Sequence, residues 1–147
     1  MPYITKETGG SAGVVTLLAS ALRTAGTVDG ATVMSGELAH ATAIVFELNI
    51  SAQTGTTIDV AVEASLDGTN WFIIAKFSQT GAATGIKYAK AYHNTTFATE
   101  VAPVAAPAVS GAFTVNNFAW DKYWRASYVL VGTNYTFSVL ARPFYCA

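Results

Sequence analysis

A single antiparallel β-sandwich, jelly-roll or immunoglobulin-like with extended terminal arms, follows from three features of this chain. Apolar and polar residues alternate with a period of two in its clearest segments. Turn-forming residues recur at the intervals of an all-β domain, and no segment shows a capped helical stripe. The length of 147 residues suits one domain, large enough to bury about 68–70% of its unfolded surface without a metal or disulfide staple.

The clearest strand is Thr57-Ile58-Asp59-Val60-Ala61-Val62-Glu63-Ala64-Ser65, with its even positions apolar and Asp59, Glu63 and Ser65 on the other side. The Asp67-Gly68 step beyond it tolerates positive φ. It leads into Trp71-Phe72-Ile73-Ile74-Ala75-Lys76-Phe77, rich in β-formers, and the pair predicts a hairpin. Residues 44–50 form another strand, closed by the turn-like Ser51-Ala52-Gln53-Thr54-Gly55. Residues 123–131 and 135–140 flank Gly132-Thr133-Asn134 and predict a second hairpin. Weaker strands are expected over 14–22, 86–92 and 112–117, the first also compatible with a helix through its alanines and leucines. Pro103 and Pro107 make 101–109 an edge or crossover rather than a central strand. No repeat or linker divides the chain, so the expected organisation is an arm over 1–13, a sandwich over 14–140 and a tail over 141–147.

Composition narrows the function classes. Only 12% of the residues are charged, against about 25% in an ordinary soluble domain, while 52% are hydrophobic. A net charge of −1 offers no field for nucleic acid or an anionic membrane. Intrinsic disorder pairs low hydrophobicity with high charge, the opposite of this chain. Cys146 is the single cysteine, so no internal disulfide framework forms and the redox compartment stays open. Lys6 precedes an apolar stretch over 12–22 containing the small-x-small triplet Ala19-Ser20-Ala21, as a signal peptide does. Thr16 and Ser20 interrupt it and Arg23 closes it, so the expectation is a soluble, unprocessed chain.

Polar chemistry is thin. His40 and His93 lie in different segments and outside any metal-binding spacing, and Cys146 has only Arg142 nearby to activate it. Gly9-Gly10-Ser11-Ala12-Gly13 lacks the lysine and the strand-to-helix context of a phosphate loop and reads as a flexible arm. Asp67 and Asn70 with Asp59 or Glu63 offer oxygens to calcium, but their spacing is not that of an EF-hand and turn chemistry already explains them. Sequons at Asn49, Asn94 and Asn134 imply no glycosylation outside a secretory route. No catalytic residue, cofactor or metal is expected.

The aromatic residues carry more. Trp71, Trp124 and Phe137 fall inside strands and are read as core, Trp71 in an inward register with Ile73 and Phe77. Trp120, Tyr123, Trp124 and Tyr128 cluster before and within one strand; such a strip serves as a sugar platform, a protein contact or core. Phe144 and Tyr145 follow Pro143, where contact with a partner and folding back are both open. The candidate partner-binding residues are Tyr3, Ile4, Trp120, Tyr123, Phe144 and Tyr145.

Three segments resemble small virion structural proteins of tailed bacteriophages: residues 16–25, Glu63-Ala64-Ser65-Leu66-Asp67-Gly68-Thr69-Asn70-Trp71, and Tyr123-Trp124-Arg125-Ala126-Ser127-Tyr128 followed by residues 135–139. The resemblance spans 16–140 in the same order, and that group includes β-sandwich capsid decoration, or cement, proteins and other head or tail components. It implies a non-enzymatic subunit on the outer capsid surface, made in the bacterial cytoplasm. Its implied partners are the major capsid protein and copies of itself, as a homo-oligomer on the particle, with no nucleic acid or membrane. Asp67-Gly68-Thr69-Asn70-Trp71 is also similar to a hairpin of carbohydrate-binding sandwiches, so a sugar-binding module stacking on Trp120 and Tyr123 is the alternative.

Overall fold

The computed structural model describes residues 13–34, 36, 38, 41–92, 114–115 and 122–145. The elements are β1 (Val15–Asp29), β2 (Val33–Met34), β3 (Ala43–Gln53), β4 (Thr57–Ser65), β5 (Phe72–Lys76), β6 (Gly85–Tyr92), β7 (Thr114–Val115) and β8 (Tyr123–Phe144). The fold is all-β and antiparallel, as expected. Tyr3, Ile4, Trp120, His40, His93, Cys146, the glycine-rich arm and the proline stretch over 101–109 lie outside the described residues.

The 22-residue β8 organises the rest. One of its edges pairs with β1 along most of its length and with β2 at Trp124 and Tyr123. The other edge pairs with β3 over 135–144 and with β4 over 123–131. Outside these, β6 pairs with β3, β5 with β4, and β7 with β5. Two layers therefore share the β1–β8 ribbon, one adding β3 and β6 and the other β4, β5 and β7, and together they curl into a nearly closed barrel. At the seam β5 contacts β6. There Lys87 Nζ donates to Ser78 O at 2.7 Å, Ser78 Oγ at 2.9 Å and Gln79 O at 3.3 Å. Barrel closure is one way for an antiparallel sheet to hide its edges.

The second expected hairpin does not form. Residues 132–134 are a corner inside one strand, where β8 leaves β4 and takes up β3. Five steps separate the inward Leu130 from the inward Tyr135, so the buried set changes from even to odd positions across the corner. Tyr128 and Phe137 would lie about 30 Å apart on a straight strand, yet their rings meet edge to face at 5.2 Å. The β3–β4 turn braces this bend: Thr56 N donates to Val131 O at 2.9 Å and Thr54 N to Asn134 O at 2.8 Å. Gly132 has φ +98°, and a Cβ there would lie 2.5 Å from Thr56 N. Glycine is required at that corner on both counts.

Other boundaries shift too. β1 is a 15-residue strand, so the helical alternative for 14–23 fails. Its bulges between Leu18 and Ala21 expose carbonyls that Arg23 collects, bonding Ala19 O at 2.6 Å, Ala21 O at 3.0 Å and Phe137 O at 2.7 Å. Ser51-Ala52-Gln53 continues β3 instead of turning. The expected tail over 141–147 begins as strand, since Ala141, Arg142, Pro143 and Phe144 pair with Phe46, Val45, Ile44 and Ala43. The β1 pairing ends at Ala141, so Pro143 sits where β8 is an edge toward that side, a position proline tolerates.

The core is built from alternate residues of three strands: Ile44, Phe46, Leu48 and Ile50 of β3, Ile58, Val60, Val62 and Ala64 of β4, and the inward set of β8. Trp124 and Phe137 are fully buried in it, as read. The alternation of β4 correctly separates two faces, but the polar face is buried as well, with Asp59, Glu63 and Ser65 each about as hidden as the apolar side.

Candidate interaction face

Cross-strand partners project to one side of a sheet, so register defines the outer face of the β6–β3–β8 layer. Its rows are Tyr92–Ala43–Phe144, Lys90–Val45–Arg142, Tyr88–Glu47–Leu140 and Ile86–Asn49–Ser138. Thr16 of β1 extends the third row beside Leu140. The edge strand sets the character of the face. β6 turns Ala89 and Ala91 into the core, while Ile86, Tyr88, Tyr92 and, at the end of β8, Phe144 are each more than half exposed. Buried alanines are ordinary; what stands out is that four large apolar or aromatic side chains are exposed together on one face.

Charge on this face is sparse. Arg142 Nη2 bonds Glu47 Oε2 at 3.3 Å, which leaves Lys90 among apolar and aromatic neighbours. Strand spacing and rise give a patch on the order of 350 Å², the size of a functional surface patch on a monomer. It falls short of the roughly 800 Å² per partner of a stable one-to-one complex.

Of the expected partner-binding residues, Tyr123, Phe144 and Tyr145 lie among the described ones. Phe144 belongs to this face. Tyr123 lies at the opposite end of β8, half-buried, with Lys122 Nζ 5.2 Å from its ring centroid. Tyr145 folds back against the core. Ile86, Tyr88 and Tyr92 went unnoticed in the sequence, although large and small residues alternate there; with apolar residues on both sides, polarity does not show which side faces out.

A second cluster occupies the buried outer face of β4. Arg125 Nε bonds Glu63 Oε2 at 2.6 Å and its Nη1 lies 3.3 Å from Asp29 Oδ2, while Ser127 Oγ donates to Glu63 Oε1 at 2.9 Å. Trp71 is buried, as expected, but outside the main apolar cluster, with its ring over the Arg125 guanidinium at 4.2 Å on this polar face. The extra residue Ile74 between the Glu63–Ile73 and Val62–Ala75 pairs puts Ile73 outward and Phe77 inward. Further along β4, Gln79 Nε2 donates to Asp59 Oδ2 at 2.7 Å and Lys76 Nζ of β5 lies 3.5 Å from Asp59 Oδ1. Burial holds the Lys87 ammonium below its ordinary pKa, against the attraction of Asp59.

Of the residues weighed for calcium, Asp67 and Asn70 are committed to their own turn. Asp67 caps its own turn, accepting from Asn70 N and Thr69 N at 2.8 Å, and Asn70 Nδ2 donates to it at 2.7 Å. Among the described residues no group of three or more His, Cys, Asp or Glu gathers to hold a metal ion. No helix among the described residues is long and apolar enough to cross a membrane. No protein-family model, curated protein or solved structure matches the chain.

Proposed function

We propose that this protein is a non-enzymatic structural subunit of a tailed-phage virion, a capsid decoration protein that docks on the major capsid shell through the outer face of β6, β3 and β8. The observation that supports this reading is the contiguous exposed patch of Ile86, Tyr88 and Tyr92 on β6 beside Phe144. A weakly charged, aromatic sheet face suits a protein surface. Its modest area suits repeated docking on a lattice, where neighbouring copies raise the effective concentration of each contact. The low overall charge agrees, since a subunit held against a shell needs less charged surface of its own.

The test is co-sedimentation of the full chain with undecorated capsids of its phage, beside a glycan panel. Tyr88→Glu and Ile86→Glu are expected to abolish capsid occupancy with an unchanged circular dichroism spectrum, because both side chains already face water. Wild-type occupancy by both variants overturns the assignment of the face. Binding of the wild type to a glycan and not to capsids selects the carbohydrate-binding alternative.

A further inference from the structure

The buried face of β4 holds one charge pair that is hydrogen-bonded and one that is not. Glu63 is met by Arg125 and Ser127. Asp59 and Lys76, on adjacent strands with side chains only 1% and 4% exposed, approach each other at 3.5 Å between Oδ1 and Nζ. That is too long for a charged hydrogen bond, and neither atom has another hydrogen-bond partner. The second carboxylate oxygen, Oδ2, is held by Gln79. Two buried charges without hydrogen bonds are poorly tolerated. Covalent joining of the two groups removes both charges at once, and Nζ already lies 3.5 Å from the carboxylate oxygen that would leave.

We propose that Lys76 and Asp59 condense to an intramolecular amide that crosslinks β5 to β4. Nζ of Lys76 attacks Cγ of Asp59; the Cγ–N bond forms and the Cγ–Oδ1 bond breaks. Of the three ammonium protons, one remains on the amide nitrogen and two depart with Oδ1 as water. Atoms and charge balance without a co-reactant. The leaving oxygen is the one that faces the amine and has no hydrogen bond. Oδ2 remains as the amide carbonyl, and the Gln79 amide that already donates to it stabilises the negative charge that develops there during attack. Lys76 pairs with Ala61, whose side chain shares the face with Asp59 and Glu63. The small alanine leaves room for the lysine stem to lie along β4 toward Asp59. The product removes both buried charges from the sheet.

Intact mass spectrometry of the full-length folded chain, denatured only for measurement, tests this. The wild type is expected one water below its sequence mass, and tandem spectra of a digest are expected to show the peptides carrying positions 59 and 76 joined. Asp59→Asn is expected to reach the same product by losing ammonia, and Lys76→Met to appear at its own sequence mass. A wild type at full sequence mass overturns the proposal. So does a water loss that persists in Lys76→Met, which would place the dehydration elsewhere, as in a succinimide at Asp67-Gly68. Digest mapping of the wild type decides the matter even if Lys76→Met does not fold.

Discussion

A carboxylate as buried as Glu63 is stable in a sheet only because Arg125 and Ser127 satisfy both of its oxygens. Glu63→Ala removes the closer and more buried of the two carboxylates that Arg125 meets, leaving Asp29, and is expected to destabilise the protein by about 3–5 kcal/mol, read from urea midpoints. The double variant Glu63→Leu with Arg125→Met is expected to lose less than Glu63→Ala, since it removes both charges together. Asp67 acts on the pH axis instead. The backbone N–H of Asn70, then that of Thr69 and the Asn70 side chain, hold its carboxyl below the ordinary carboxylate range. A depressed folded pKa means that this contribution is fully present above the ordinary value and is lost as pH falls through the lower folded value. Thermal melts in acid are therefore expected to show a shallower decline for Asp67→Asn than for wild type. The turn itself was legible, because an Asp-Gly step between two β-rich runs has few other uses. The burial of Asp59 and Glu63 was not, because alternation reports that two faces differ and is silent on whether the polar one is covered.

At the scale of elements, the corner of β8 separates local propensity from topology. Gly132-Thr133-Asn134 has the residues of a hairpin loop, and nothing local distinguishes a hairpin from a bend in a strand that exchanges one partner for another. What decides is the pairing with β3, β4 and β1, all distant in sequence. Gly132→Ala is expected to cost more stability than Gly26→Ala. Both glycines have positive φ, but a Cβ at Gly132 meets the backbone of Thr56, whereas one at Gly26 meets nothing within 4 Å. The strain common to both sites is about 1–3 kcal/mol, and denaturant midpoints of the two variants isolate the contribution of the close approach. The C-terminal residues behave as an element too. Deleting 143–147 removes the Pro143–Ile44 and Phe144–Ala43 rungs and the packing of Tyr145. A fall in Tm of several degrees is expected, since 1 kcal/mol shifts a domain of this size by about 2–4 °C.

For the whole molecule, the layers are unequal in how they meet their surroundings. Strand β4 is buried on both sides and carries Asp59 and Glu63 in ion pairs, whereas the β3 layer shows water a row of aromatic and aliphatic groups. Substitutions at Tyr88 and Tyr92 are expected to leave Tm nearly unchanged, because exposed side chains away from caps and charge pairs usually shift stability by less than about 0.5 kcal/mol. On the proposed docking, capsid attachment and Tm respond to different residues. The first follows Ile86, Tyr88, Tyr92 and Phe144, and the second follows Glu63, Gly132 and the core aromatics.

From the sequence alone came the all-β class, the β4–β5 hairpin and the strands near β3 and β6, along with the core placement of Trp124 and Phe137. All of these rest on short-range patterns, since side-chain period and turn chemistry act within a few residues. Tertiary structure alone decided that β8 is one bent strand, that Trp71 covers an arginine, and that β6 turns its tyrosines outward. Each of these depends on which distant strand lies alongside. In a chain with so few charges, both sides of many strands are apolar enough to be buried, so the pairing partner and not the pattern selects the inside.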